Sequence, residues 1–378
     1  MSRAPLYVTR PLLPPLEEFR PWLESIWQSG QVTNGGPYHD ELERTLAAHL
    51  GVEHLSLFAN GTLALMTALK ALGLGGEVVT TPYSFVATTH ALGWCGLTPV
   101  FADIDPVTLN LRPDAVEAAI TPATRAILPV HVYGVPCDTA ALRQIAARHR
   151  LALVYDAAHA FGVADAGGSL LRHGDLSVLS FHATKVFHTF EGGAVVCHDA
   201  AMKRELDLLK NFGFVDETTV VRTGINAKMD ELRAAFGLLQ LRHVDAAIEA
   251  RRQIDAHYRA HLAGLSGLRC PQQPAAARSN HGYFPVFIDG GRALRDAVAA
   301  HLREHDVMAR RYFHPLISDF PMYAALPSAA PARLPVARQA ADSVLCLPIH
   351  PQMSADDCTR VAALLAEALG RQRRDARI

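Results

Sequence analysis

The sequence predicts an α/β protein, with a large, mostly parallel sheet domain covered on both faces by helices and a smaller C-terminal α/β domain. Three observations carry this reading. From about residue 50 to 200, short apolar or β-branched runs alternate with segments whose apolar residues recur at helical spacing. Around Glu231–Leu262 that alternation gives way to a long helical pattern rich in Leu, Ala and Arg. The 378 residues, 49% of them hydrophobic, are enough to bury a large core and to form two domains.

Taken in order, the runs Glu77–Thr80, Thr98–Ala102, Ala126–Val130, Ala152–Tyr155, Leu176–Phe181 and Gly193–Cys197 read as strands. Between them Thr62–Leu72, Phe85–Trp94, Arg112–Ala119 and Thr139–His149 read as helices. The turn-rich Pro271–Asn280 follows the Glu231–Leu262 pattern and reads as the hinge between domains. Beyond it, Gly282–Ile288 is expected as a strand, Arg292–His305 as an amphipathic helix, Val344–Leu347 as a short strand and Ser354–Leu369 as a closing helix. The expected division is residues 1–250, the large domain, and 251–378, the small one.

Composition narrows the function. Lysine plus arginine total 36 against 37 aspartates and glutamates, so no long-range field for nucleic acid or an acidic membrane is expected, and an anionic ligand must be held by local groups. Cys95, Cys137, Cys197, Cys270, Cys346 and Cys358 are scattered without a C-x-x-C pair, against a zinc or dithiol site, and read as reduced thiols of a cytoplasmic protein. The N-terminus lacks the apolar stretch of a signal peptide, and Asp156 and Asp165 interrupt the apolar run Leu151–Leu171, so neither secretion nor membrane spanning is expected. The tail arginines Arg371, Arg373, Arg374 and Arg377 read as a solvated helix end, with phosphate binding as the alternative.

Three segments can carry chemistry. Asn60-Gly61-Thr62 stands between an apolar run and a good helix former, where free N–H groups can hold a phosphate or where the asparagine simply caps the helix. Asp156 ends an apolar strand in Tyr155-Asp-Ala-Ala-His159, and a buried carboxylate there needs a cation or strong donors, or else serves as a cap. In Ser180-Phe-His-Ala-Thr-Lys185, followed by Glu191-Gly-Gly193, a strand delivers one lysine into an apolar loop. Desolvation there favours the neutral amine, which can form an imine with an aldehyde, although a surface lysine fits the residues as well.

Together, and in this order, these blocks resemble the DegT-type family of pyridoxal-phosphate (PLP) dependent sugar aminotransferases. The resemblance extends through Thr33–Pro37, Thr81–Phe85, Pro129–Gly134, Gly224–Met229 and Ala309–Leu316, nearly the whole chain. It implies the aminotransferase fold of type I and, residue by residue, a cofactor site. Lys185 would carry the cofactor as a Schiff base and shuttle the proton, and Asp156 would pair with the pyridinium nitrogen. Gly61, Thr62 and Ser180 would hold the phosphate, Phe85 would stack on the ring, and His159 would donate to the ring oxygen. Asn226 would reach the phosphate from a second copy, making a homodimer with shared sites.

The implied reaction moves an amino group from L-glutamate to a nucleotide-linked keto-deoxysugar. The run Arg310–Leu316 resembles the branch acting on dTDP-linked 3-keto-6-deoxyhexoses, which offers Tyr312 and His314 as sugar-pocket residues. His188 stands where relatives in that branch carry asparagine, so its sugar contact is open. The alternatives are amination at C4 of a 4-keto sugar nucleotide and a non-catalytic PLP-binding regulator. A 3-dehydratase of the same fold would have histidine in place of Lys185, and a plain nucleotide-binding protein would need a glycine-rich loop that is missing here.

Overall fold

The computed structural model describes residues 4–271 and 278–375. Its strands, in chain order, are β1 (Leu6–Tyr7), β2 (His54–Phe58), β3 (Glu77–Thr80), β4 (Thr98–Phe101), β5 (Thr124–Leu128), β6 (Ala152–Asp156), β7 (Ala164–Asp165), β8 (Gly168–Ser169), β9 (Leu176–Ser180), β10 (Gly193–Cys197), β11 (Leu268–Arg269), β12 (Phe284–Ile288), β13 (Val307–Met308) and β14 (Val344–Leu347). One sheet runs in the order β2-β10-β9-β6-β5-β3-β4. Strand β10 is antiparallel to both its neighbours, while β9, β6, β5, β3 and β4 are parallel. The large, mostly parallel sheet is therefore present. Strand β2 had been legible only as an apolar run before the Asn-Gly-Thr turn.

Alternation along each strand feeds two cores. On one face Leu179, Ala194 and Val196 pack with Leu42, Leu46, Leu170 and Leu238. On the other, Val178, Val195, Val154 and Val78 pack with Leu65, Leu69 and Leu92. Each fully buried leucine or valine among them contributes about 1.5–3 kcal/mol, and the pairing directions leave β2, β3, β5, β6 and β9 pointing the same way. Loops leaving the C-terminal ends of β2, β3, β5, β6 and β9 then converge, which is where open α/β sheets place their ligands.

The helices begin where their caps stand. Asn60 accepts from Leu63 N, Asp138 from Ala141 N and Asp230 from Arg233 N. The single pattern expected over Glu231–Leu262 is two helices, Glu231–Leu241 and Val244–Leu262. No glycine or proline marks the break. Arg242 N donates to Leu239 O and His243 N to Gln240 O, tight bonds that close the first helix.

A second, antiparallel sheet of order β11-β12-β14 is covered by helices Gly291–Glu304 and Ala355–Asp375 and forms its own core around Val286, Val298, Leu345 and Leu365. Strand β1 lies parallel to β13, and Leu6 joins that core. Of the expected hinge Pro271–Asn280, residues 272–277 lie outside the described residues, while Arg278 pairs with Ala164. The side chains after Arg371 also lie outside them, and Arg371 pairs with Glu367. Among the described residues no helix is long and apolar enough to cross a membrane.

The two sheets are joined by a packed seam in which Tyr83, Tyr133, Phe287, Phe313 and Leu316 are buried together. Asp103, after β4 and only 4% exposed, caps the distant helix Pro335–Ser343 by accepting from Val336 N (3.0 Å) and Ala337 N (2.9 Å). Replacing Asp103 with Ala leaves two N–H groups without a partner and is expected to lower stability by about 1–3 kcal/mol. Urea unfolding checks this, and an unchanged midpoint would show that the cap does not hold the seam.

Candidate active site

The lysine loop is fixed on both sides by aromatic packing. Phe187 stacks on Phe161 at 4.7 Å between centroids and meets Phe181 edge-on at 4.9 Å. The chain then returns through Glu191-Gly192-Gly193 into β10. A Cβ at Gly193 would lie 2.8 Å from the Asn60 carbonyl and Gly61 Cα, and one at Gly61 would lie 2.9 Å from Ser180 Cβ. Glycine is required at both positions because three backbones meet there. Gly61, Thr62 and Ser180 are thereby gathered at the start of helix Gly61–Ala71. Asn60 does cap this helix, and Ser180 Oγ receives only a long 3.5 Å bond from His182 N. The half-buried helix start, two small residues and two hydroxyls fit a phosphate.

Asp156 ends β6 and is 8% exposed. Its Oδ2 accepts from Thr88 Oγ1 (2.7 Å) and its Oδ1 from Ala158 N (3.0 Å). Burial raises its carboxyl above the ordinary carboxylate value, opposed by those two bonds and by the charge of Lys185. A cationic ring nitrogen is the partner such a group lacks. Lys185 itself is lowered to about 8 by burial, against the pull of Asp156. Its Nζ donates to Tyr283 Oη at 3.2 Å.

His159 is buried and lowered well below its ordinary value, first by burial and then by Lys185, so the ring is neutral. Because its Nδ1 accepts from Tyr133 N (3.1 Å), the proton sits on Nε2, leaving a donor of the kind a ring oxygen needs. Phe85 lies on the loop after β3 and is 60% exposed. Lysine, carboxylate, neutral histidine, exposed aromatic and phosphate cradle together fit PLP.

Other expected residues are placed differently. Tyr312 borders the cluster, with its ring 6.1 Å from Tyr283 and its carbonyl accepting from Tyr83 Oη and Tyr133 Oη. His314 stands apart from it, with Nδ1 3.9 Å from Asp342 and with Arg292 and Arg295 as its charged neighbours. His188 is buried in a packing seam, where Phe190 N donates to its Nδ1 and its Nε2–H donates to Leu12 O (3.0 Å) beside Gln240. Burial lowers it to about 4, so it is a neutral clasp on the N-terminal segment rather than an open-pocket residue. Asn226 is exposed and accepts from Lys228 Nζ (2.9 Å), with no bond to its own chain's cluster.

Sequence reading missed Thr88, Tyr133, Asn280 and Tyr283. Thr88 lies three residues beyond Phe85 and Tyr133 within the Pro129–Gly134 motif, so position along the chain hinted at both. Asn280, in the turn-rich stretch, gave no signal.

Comparison with known proteins follows the same line. The profile of the DegT/DnrJ/EryC1/StrS aminotransferase family matches residues 16–366. A dTDP-4-amino-4,6-dideoxy-D-glucose transaminase of Shigella dysenteriae is 52% identical over 364 residues, covering 96% of this chain and 99% of that protein. One of Escherichia coli with the same description is 47% identical, covering 97% and 99%. The crystal structure of DesI in the presence of its TDP-sugar product superposes with a TM-score of 0.93 at 41% identity, covering 99% of this chain and 96% of that one.

Two outcomes are expected of this geometry. Gly61→Ala pushes Ser180 out of the cradle and weakens PLP binding by about tenfold or more, with folding retained, as read by absorbance titration; unchanged affinity would remove the phosphate from this corner. Cofactor capture requires the unprotonated amine, so its rate in cofactor-free protein should rise about tenfold per pH unit below about 8 and level off above it. A stopped-flow pH series that is flat from pH 6 to 9 would contradict the lowered amine.

Proposed function

The chain belongs to the DegT/DnrJ/EryC1/StrS aminotransferase family, and from that membership we propose that it moves the amino group of L-glutamate onto C4 of dTDP-4-keto-6-deoxy-D-glucose, giving dTDP-4-amino-4,6-dideoxy-D-glucose. It is a PLP-dependent sugar aminotransferase, which sets aside the regulatory alternative. The observation supporting the C4 assignment is the 52% identity, over almost the full length of both chains, to a transaminase described by that product. The 3-keto acceptor suggested by Arg310–Leu316 is the weaker reading. The lysine and carboxylate do the same work for either carbon, so the depth and angle at which the pocket seats the sugar must select it.

When bound, PLP supplies an aldehyde for amine exchange and a protonated ring that withdraws electrons from the reacting carbon. The chain's own groups do the rest. Lys185 Nζ, lowered to about 8, is partly neutral near pH 7 and can take a proton and return it. Asp156, oriented by Thr88 and Ala158, would keep the ring nitrogen protonated. His159 Nε2–H would donate to the ring oxygen, and Gly61, Thr62 and Ser180 would hold the phosphate. Phe85 would cover the ring face.

A second copy would complete the site through Asn226. Phe212, Phe214, Val215, Val220, Val221 and Ile225, around that asparagine, are all exposed large apolar residues, which supports their burial against a partner. Glutamate is the donor we assign.

The test combines spectroscopy and acceptor choice. L-glutamate should convert PLP-loaded protein to its pyridoxamine form with release of 2-oxoglutarate, and Lys185→Ala should not respond. Asp156→Asn should keep the cofactor yet turn over about a hundredfold more slowly. The 4-keto sugar should exceed the 3-keto isomer by about a hundredfold in kcat/KM, and the reverse order would sink the C4 assignment.

A further inference from the structure

Resting on the reading of Lys185 as the cofactor lysine, we propose that Tyr283 is a positioning residue that holds the free ε-amine of Lys185 in place for proton transfer, and that Asn280 fixes Tyr283. The lysine reaches the site from the loop after β9, while Tyr283 directly precedes β12 in the other sheet. Their 3.2 Å bond therefore crosses from one sheet to the other. Asp156, the opposite charge facing the amine, is already engaged by Thr88 and Ala158.

Asn280, 1% exposed, sets the approach of Tyr283. Its Nδ2 donates to His159 O and Phe161 O, both at 2.9 Å, and its Oδ1 accepts from Gly282 N at 3.0 Å. One side chain thus locks the residue before Tyr283 to the segment that carries His159. The fit beside it is tight, since a Cβ at Gly282 would lie 3.2 Å from Val186 Cγ2, next to Lys185. The Tyr283 ring is held by His159 at 4.6 Å and Tyr133 at 5.5 Å.

A phenol suits this task. Burial raises Tyr283 above its ordinary value, so it stays protonated throughout the working range. Its oxygen can accept from the ammonium, and its O–H can donate to the neutral amine, so the lysine is held in both states of a proton shuttle. The bond to the charged form is the stronger, so removing the oxygen disfavours the ammonium. The titratable groups facing Lys185 are Asp156, His159, Tyr283 and Tyr312, and of these Tyr283 bonds to it.

The experiment reads the amine without cofactor. In protein stripped of PLP, acetylation of Lys185 by acetic anhydride is followed across pH by peptide mass spectrometry. Wild type should show a midpoint near the lowered value of about 8. Tyr283→Phe should move it down by about one unit, and Asn280→Ser, which keeps every ring, should move it in the same direction. Tyr133→Phe, which removes a neighbouring hydroxyl not bonded to Lys185, should leave it in place. In PLP-loaded Tyr283→Phe the glutamate half-reaction at saturation should slow about tenfold with half-saturation within about twofold. A midpoint unmoved in both Tyr283→Phe and Asn280→Ser, or moved equally by Tyr133→Phe, overturns the proposal. Because the midpoint is measured without cofactor or sugar, a failed sugar assignment would leave it unchanged.

Discussion

The arrangement depends on placing an amine and a carboxylate in one desolvated cleft without letting them neutralise each other. Asp156 is raised by burial and Lys185 lowered by it, and each partly offsets the other's shift. Two outside donors, Thr88 and the Ala158 amide, occupy the carboxylate and leave its charge for a ligand. The lysine is held instead by a phenol from the other sheet. Separate partners keep both groups available for chemistry, whereas a direct ion pair would consume them.

That separation requires two sheets at a fixed distance, and several contacts across the seam set it. Asp103 caps a helix of the C-terminal unit, Tyr83 and Tyr133 hold the Tyr312 carbonyl, and Ile317 N donates to Pro82 O. The N-terminal segment adds a strap. It pairs with β13, accepts from Ile349 N at Val8 O, and is clasped at Leu12 O by His188 and Gln240. Polar bonds aimed at backbone groups fix direction as well as distance, which apolar contact alone does not.

Much of this was legible in the chain. The β6 and β9 segments read as strands because parallel strands covered on both faces are continuous apolar runs, and Asp156 and Lys185 stood out as polar residues delivered by them. Gly61 and Gly193 were visible as motif glycines, but the reason for both, the meeting of three backbones, appears only when Asn60 and Ser180 are in place. His188 read as a sugar-pocket residue because it stands where relatives of the resembled branch carry asparagine. Its side chain leaves the lysine loop on the side of Leu12, 176 positions away in sequence.

By itself the sequence determined the α/β class and the order of the main elements, because these follow from periodicity, while the cofactor and Lys185 as its lysine were legible only through an ordered set of motifs that resembles a known family. Tertiary structure alone decided which groups hold those residues. Thr88 meets Asp156 across 68 positions, Tyr283 meets Lys185 across 98, and Asn280 meets His159 across 121. Such pairings are fixed by how two sheets dock, a property of packed surfaces spread along the whole chain, and no local pattern encodes them.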